Sequence, residues 1–328
     1  MASILGQTLS SWELVVVDNY SDDGAWEFFN NVARKDARIR ISQAPKEGLY
    51  ANWNNCIRQA SGRYVYIAAN DDTMAANFLE KQAAALEQHP ECDLAHCRPR
   101  MIDESGRDAH DWWSGHSIFA RSSNGLLGRT HVRLAPFDGF LHLAGESVYI
   151  SLTQLLIRRS LFDRIGLFET RWASIGDFNW CMRAALVANT IHVPDTWGGW
   201  RIHSDQATDW AALRLPKHRR MIDEMIEHAL QTCEAKLPPQ VRGKLRSRWL
   251  RRARDMREFF PTLRVLDRPL DRWMFIAQRL LAGSWAAGQH VKSKLSKLDG
   301  LPESAPEVIR KWLQGAGIDP VIMPIEVG

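Results

Sequence analysis

The chain has 328 residues, 45% hydrophobic and 24% charged, which suits a globular protein of one large domain or one domain with a smaller companion. A formal net charge of +4 is too mild to point by itself to a nucleic-acid partner. Five cysteines, odd in number, scattered and without a C-x-x-C pair, fit reduced thiols in a cytoplasmic compartment better than a disulfide framework. No signal peptide is read at Met1, and no apolar run reaches the ~18 residues that a membrane span needs.

Strand and helix signals alternate through the first half. "WELVVVD" (Trp12 to Asp18) is a β-branched run that ends in an Asp and the turn "NYSDDG". "AWEFFNNVARK" places Trp26, Phe29 and Val32 at helical spacing, "RIRIS" alternates as a strand, and "LYANWNNCIRQA" reads as a helix. "RYVYIAA" is the next strand, followed by Asn70, Asp71 and Asp72. "ANFLEKQAAALEQHP" is an amphipathic helix stopped by Pro90. "CDLAHCRPRMID" is a further strand, and half-buried strand cysteines explain Cys92 and Cys97 more simply than a metal cluster does. This alternation predicts an α/β fold, a mostly parallel, mixed sheet flanked by helices.

In such sheets ligands bind outside the carboxyl ends of the strands. Asp18 with Asn19, and Asp71 with Asp72, sit at two such ends and point to one crevice. Adjacent carboxylates repel, so "NDD" raises two readings. A turn can use the side chains to bond their own backbone, or a hard divalent cation can draw on their oxygens.

From Ser105 to Gly145 the pattern weakens into polar, Gly-rich stretches, expected to be long loops. There Trp112 and Trp113 offer a stacking surface for a sugar acceptor or, equally, simple packing. "YISLTQLLIRRSLFDRIGLF" is strand then helix, and Asp177 in "IGDFNWCMRAA" lies where it can cap a helix or serve a site. "TIHVP" is a strand, and "WGGWRIHSDQAT" is expected to pass through Gly-permitted turns to His203. Beyond residue 215 helical patterns take over, dividing the chain into 1–215 and a basic helical extension, 216–328. Eight Lys and Arg side chains between Arg242 and Arg257, and the aromatic basic stretch after them, read either as a solvated face or as peripheral membrane contact through 242–295.

"ILGQTLSSWELVVVDNYSDDGAWE", "EGLYANWNNCIRQASGRYVYIAANDDT", "IGDFNWCMRAA" and "WRIHSDQAT" occur in an order and spacing that resembles the family 2 glycosyltransferases of the GT-A fold. The resemblance covers most of residues 1–208. It implies transfer from a nucleotide-diphosphate sugar, UDP-linked, with inversion at the anomeric carbon, assisted by Mn²⁺ or Mg²⁺. It implies that Asp18, Asn19, Gly48, Asn52 and Asp71 bind the donor and that Asp72 and His203 hold the metal. Asp177 becomes the catalytic base, although Gly176 stands where the resemblance implies a supporting Glu. The acceptor would be a glycan or a lipid-linked glycan in cell-surface polysaccharide assembly, on the cytoplasmic side of the membrane. The resemblance also implies a strand and nucleotide-facing turn ahead of "QT", not found after Met1. Their place would fall to a partner chain or to the C-terminal extension.

A free carboxylate of pKa near ~4 is a weak base for an alcohol, so Asp177 would act largely through position. Three other readings compete: a catalytically impaired binding or scaffold module, a nucleic-acid binder using Arg242 to Arg257, and a dinucleotide oxidoreductase. No groove-reading motif supports the second, and no G-x-G-x-x-G follows a strand to support the third.

Overall fold

The β-branched run Leu14–Asp18 (β1) pairs in parallel with Ile39–Gln43 (β2), forming a two-stranded sheet of its own. The computed structural model describes residues 1–111, 113–144, 147–203, 216–244, 305–318 and 322–325. Its second sheet holds Tyr64–Val65 (β3), Thr73–Met74 (β4), Cys92–Ile102 (β5), His131–Arg133 (β6), Leu155–Arg158 (β7), Asn189–Arg201 (β8) and Ile322–Pro324 (β9). The strand order is β3-β7-β5-β8-β6-β9, with β4 added on β8. Only β1–β2 and β5–β8 run parallel among the described pairings, and the other five are antiparallel. The fold is therefore mixed α/β, a sheet flanked by helices. Its parallel character is confined to the two pairs that a helical crossover can join.

β5 and β8 form the spine. Burial is continuous along Cys92–Cys97 in β5, as expected of a central strand covered on both faces. Leu86, Cys92, Ala95, Val132, Leu156 and Ile191 form one apolar cluster around it; Met74, Ala75, Phe78 and Cys97 form another. The five cysteines are free, and burial pushes the Cys92 thiol up to about 12, which makes it an inert core residue. Gln7 fastens the first turn of the chain to this layer: its amide donates to Ala75 O at 2.7 Å and accepts from Leu79 N at 3.0 Å.

Three expectations need correction. The segment Trp197–Arg201 is strand, not turn, because its glycines serve close approach: a Cβ on Gly198 would lie 2.1 Å from Thr153 O, and one on Gly199 2.2 Å from Thr73 Oγ1. The stretch from Ser105 to Gly145 is less loop-like than its composition suggests. It contains β6 and the helices Trp113–His116, Ile118–Ser122 and Phe137–Leu143, whose Ile118, Phe119, Phe140 and Leu141 are buried. These helices are too short to display a periodic pattern. Third, the division of the chain falls after Leu237 rather than after residue 215. One unit is Met1–Leu237 with Asp319–Gly328, and the other is Pro238–Ile318. The helix Pro216–Cys233 belongs to the first, because Asn179 donates to Met225 O at 2.8 Å and the Trp172 ring meets His228.

The second unit contains the described helices Pro239–Lys244 and Ala305–Gly315, with Val241, Ile309 and Leu313 buried. Most of the stretch 242–295 read for membrane contact lies outside the described residues. Among the described residues no helix is long and apolar enough to cross a membrane.

Candidate active site

The first cluster of site residues gathers where β1 ends. Asp18 is buried, with 7% of its surface exposed, and accepts from Ser21 N and from Gln43 Nε2 at 3.1 Å. Burial opposes its charge, but hydrogen bonds from Ser21 and Gln43 outweigh it and hold the carboxyl below its ordinary range. Asn19 Nδ2 reaches Ala44 O, Pro45 O and Asn52 Oδ1, at 3.1, 3.2 and 3.2 Å, while Asn52 Nδ2 donates to Val17 O at 2.8 Å. Asn52 lies in the helix Leu49–Gln59, which starts after Gly48. Gly48 has φ +102°, a conformation other residues resist, and a Cβ there would touch nothing, so the need for glycine is conformational. The structure thus brings Asp18, Asn19, Gly48 and Asn52 together.

The second cluster is the acidic turn between β3 and β4. Asp72 Oδ2 accepts from Thr153 Oγ1 at 2.6 Å, and Oδ1 accepts from Arg201 N at 2.9 Å. Burial raises its pKa, with the neighbouring charge of Asp71 adding to the rise against those two donors. His203 Nε2 lies 2.9 Å from Asp71 Oδ2, and Arg201 Nε donates to Asp71 O at 2.8 Å. The end of β8 therefore clamps this turn through both its backbone and its side chains. His203 is joined to Asp71 rather than to Asp72, so its ring nitrogen is already engaged.

The donor set suits a cation shared with a ligand better than one caged by protein. Among the described residues no group of three or more His, Cys, Asp or Glu converges on one point. A partly buried carboxylate with a second carboxylate beside it does fit the limited protein share of a magnesium-like site completed by phosphate oxygens and waters.

Asp177 anchors the third part. It is the second residue of the helix Gly176–Val187, and its Oδ1 accepts from Phe178 N at 2.8 Å and from Tyr50 Oη at 3.0 Å. The surrounding chain desolvates the carboxyl and pushes its pKa up, although these hydrogen bonds pull the other way. Gly176 has a steric reason to be glycine: a Cβ there would lie 2.8 Å from Tyr50 Cε2 and 2.7 Å from Glu169 O. Where the resemblance implies a carboxylate neighbour for Asp177, the Tyr50 phenol is its partner.

Behind the acidic turn runs a buried polar chain. Ser151 Oγ lies 2.7 Å from Thr153 Oγ1, and Ser151 and Gln154 form a capping box around the turn Leu152–Gln154. Gln154 Nε2 donates to His96 Nε2 at 2.9 Å, His96 Nδ1 meets His192 Nδ1 at 3.0 Å, and His192 Nε2 meets Leu127 O at 3.0 Å. These partners assign the tautomers. The carbonyl requires a proton on His192 Nε2, so His192 Nδ1 accepts and His96 Nδ1 donates. His131 stands in register beside His192, and both are pushed down by burial, to about 4 and about 3 respectively.

Trp113 is a correction. It is fully buried, its ring stacked with Phe119 and tilted against His96, so it offers no face for a sugar. Trp112 lies outside the described residues. Tyr50, Thr153 and Arg201 are the residues that sequence reading missed. The "SLTQ" capping box announced a turn at Thr153, but nothing local ties Tyr50 to a partner 127 positions away.

Residues 1–166 match the family model described as glycosyl transferase family 2. That span includes Asp18, Asn19, Gly48, Asn52, Asp71 and Asp72, while Asp177 and His203 lie beyond it. Among curated relatives, "Putative glycosyltransferase EpsE" of Bacillus subtilis (strain 168) is 33% identical over 106 residues, 32% of this chain and 38% of that one. "Uncharacterized protein MT1568" of Mycobacterium tuberculosis (strain CDC 1551 / Oshkosh) is 26% identical over 194 residues, 59% of each chain. The chain thus spans less than two thirds of the length of these relatives. Among solved structures, mannosyltransferase PcManGT from Pyrobaculum calidifontis in complex with GDP-Man and Mn²⁺ has a TM-score of 0.48 at 17% identity, covering 96% of this chain and 78% of that one. S. aureus TarS 1–349 has a TM-score of 0.48 at 16% identity, covering 80% of this chain and 86% of that one.

Proposed function

Because this chain belongs to glycosyl transferase family 2, we propose that it moves a sugar from a nucleotide-diphosphate sugar, UDP-linked, to a hydroxyl of a glycan or lipid-linked acceptor. The setting is polysaccharide assembly, which the relative "Putative teichuronic acid biosynthesis glycosyltransferase TuaG" of Bacillus subtilis (strain 168) supports, and we place it on the cytoplasmic side of a membrane. Transfer proceeds with inversion. The acceptor oxygen bonds to the anomeric carbon as the bond to the diphosphate breaks, the hydroxyl proton passes to Asp177, and the nucleoside diphosphate leaves.

The observation that carries this reading is the clamped turn Asp71–Asp72. Two adjacent carboxylates, one partly buried and both tied to the end of β8, are held in an arrangement that self-repulsion disfavours. Asp72, with Asp71 beside it, would hold Mn²⁺ or Mg²⁺, and His203 would join if its bond to Asp71 opened. Such an ion supplies neutralisation of the charge that builds on the diphosphate. Asp18, Asn19 and Asn52 orient the nucleoside end, and Gly48 keeps the backbone low beside it. Asp177 takes the proton from a fixed position, with a pKa raised by burial toward the range useful to a base.

Asp177→Asn tests the reading. Turnover is expected to fall by ~10² or more with donor affinity nearly unchanged. Wild-type turnover in that variant would remove the base and the proposed chemistry with it.

A further inference from the structure

We propose that Tyr50 is the positioning residue for Asp177: its phenol pins Oδ1 and thereby presents Oδ2 to the acceptor hydroxyl. This rests on the reading of Asp177 as the base. The geometry is one-sided. Both hydrogen bonds to Asp177, from Tyr50 Oη and from Phe178 N, fall on Oδ1. None of the hydrogen bonds formed among the described residues ends on Oδ2. A carboxylate held by one oxygen cannot rotate freely, and its second oxygen keeps both lone pairs for a proton.

Tyr50 is itself immobilised. It is 3% exposed, stacks on Phe168 at 5.8 Å with planes 24° apart, and meets the edge of Trp53 at 5.3 Å. Gly176 lets the ring lie against the start of the helix that carries Asp177, since any side chain there would strike Tyr50 Cε2 and Cδ2. Burial and the charge of Asp177 push the phenol well above its ordinary pKa, so it remains a donor throughout the working range. Tyr50 also sits two residues before Asn52, whose amide bonds Val17 O at the end of β1. One helical turn thus sets both the base and the floor of the donor end.

The phenol contributes electrostatically as well. Its hydrogen bond favours the charged form of Asp177 against a burial that disfavours it. The other titratable groups around this helix are differently engaged. Cys181 lies one turn along and is buried, and the His142 ring meets Phe178. Arg183 bonds Leu167 O and Asn179, and His228 lies 3.4 Å from Glu169. Tyr50 is therefore the side chain through which the base is tuned.

Tyr50→Phe removes the hydroxyl and keeps the ring. Losing this hydrogen bond to the charged carboxylate should make Asp177 titrate about one to two pH units higher. Carboxyl ¹³C NMR of aspartate-labelled wild type and Tyr50→Phe reads this directly, with Asp177→Asn identifying the resonance. In turnover, read as UDP released from UDP-GlcNAc or GDP from GDP-mannose, the acidic limb of kcat should move up by the same amount. KM for the donor and the melting temperature should stay put. An Asp177 midpoint unchanged by Tyr50→Phe overturns the proposal, whether or not either donor is cleaved. An active Asp177→Asn would instead sink the base reading, which keeps the two failures distinguishable.

Discussion

Acid should destabilise this fold steeply, and the row of histidines across β5, β8 and β6 sets the magnitude. Unfolded, His131 and His192 take up a proton near the ordinary 6.5; folded, they hold out to about 4 and about 3. Burial is the first cause for both, and it outweighs the nearby Asp138 charge at His131, whose Nε2 finds no hydrogen-bond partner among the described residues. Their contribution is therefore fully present above pH 6.5 and is lost as pH falls toward those folded values, because the unfolded state then binds more protons. Each histidine costs ~1.4 kcal/mol per pH unit in that window. From pH 6.5 to 5 the pair loses ~3 kcal/mol, and His96, also pushed down by burial, adds to it. That is a large part of a domain's ~5–15 kcal/mol. Asp72 and Asp177, whose carboxyls are raised, act in the opposite direction, so a variant is needed to isolate the histidines. His131→Gln keeps an N–H for Arg129 O, now bonded by His131 Nδ1 at 2.8 Å. Urea midpoints followed by tryptophan fluorescence at pH 7, 6 and 5 should show the wild type falling and the variant losing ~2 kcal/mol less across the range. Equal pH slopes for the two proteins would refute the claim that His131 stays neutral in the core.

Gly198→Ala should disturb the acidic turn from behind. Its Cβ would overlap Thr153 O, costing ~1–3 kcal/mol in urea unfolding and weakening Mn²⁺-dependent nucleotide binding, whereas a wild-type urea midpoint would contradict the close approach. Thr153→Val takes away the donor to Asp72 Oδ2 and should lower Mn²⁺-dependent affinity for UDP or GDP several-fold in calorimetry, with Thr153→Ser restoring it. Equal affinity in the valine variant would leave Thr153 without a role in aligning the carboxylate.

Local chemistry was legible where one short stretch carried the whole signal. The run "LVVVD" announced β1, and the clustering of Asn70, Asp71 and Asp72 after apolar residues marked a polar turn that the structure clamps, although the strand read before it shortens to Tyr64–Val65. "CDLAHC" was readable as a strand, expected half-buried because Asp93 and His96 interrupt its apolar residues, and the structure buries all six positions. Signals that depend on distant partners were not legible. Gly198 and Gly199 looked like a turn, since the bodies they make room for, Thr153 and Thr73, lie elsewhere in the sequence. Trp113 looked like a surface ring because its polar flanks hid the aromatic cluster of His96 and Phe119 that encloses it. Gly176 looked like the loss of a supporting group, when the Tyr50 ring against it and the phenol beyond supply that support. The helix Pro216–Cys233 was grouped with the C-terminal stretch because both follow the point where strand alternation gives way to helical patterns, while its packing partner, Asn179, precedes it.

The central claim is that the turn Asp71–Asp72 binds the diphosphate of a nucleotide through a divalent cation. Calorimetric titration of UDP and of GDP, each with and without Mn²⁺, into wild type and Asp72→Ala tests it most directly. The account predicts Mn²⁺-dependent binding of at least one nucleotide by the wild type and a loss of ~10-fold or more in Asp72→Ala, the equivalent of ~1.4 kcal/mol. Metal-dependent affinity that survives the loss of Asp72 undiminished would contradict it.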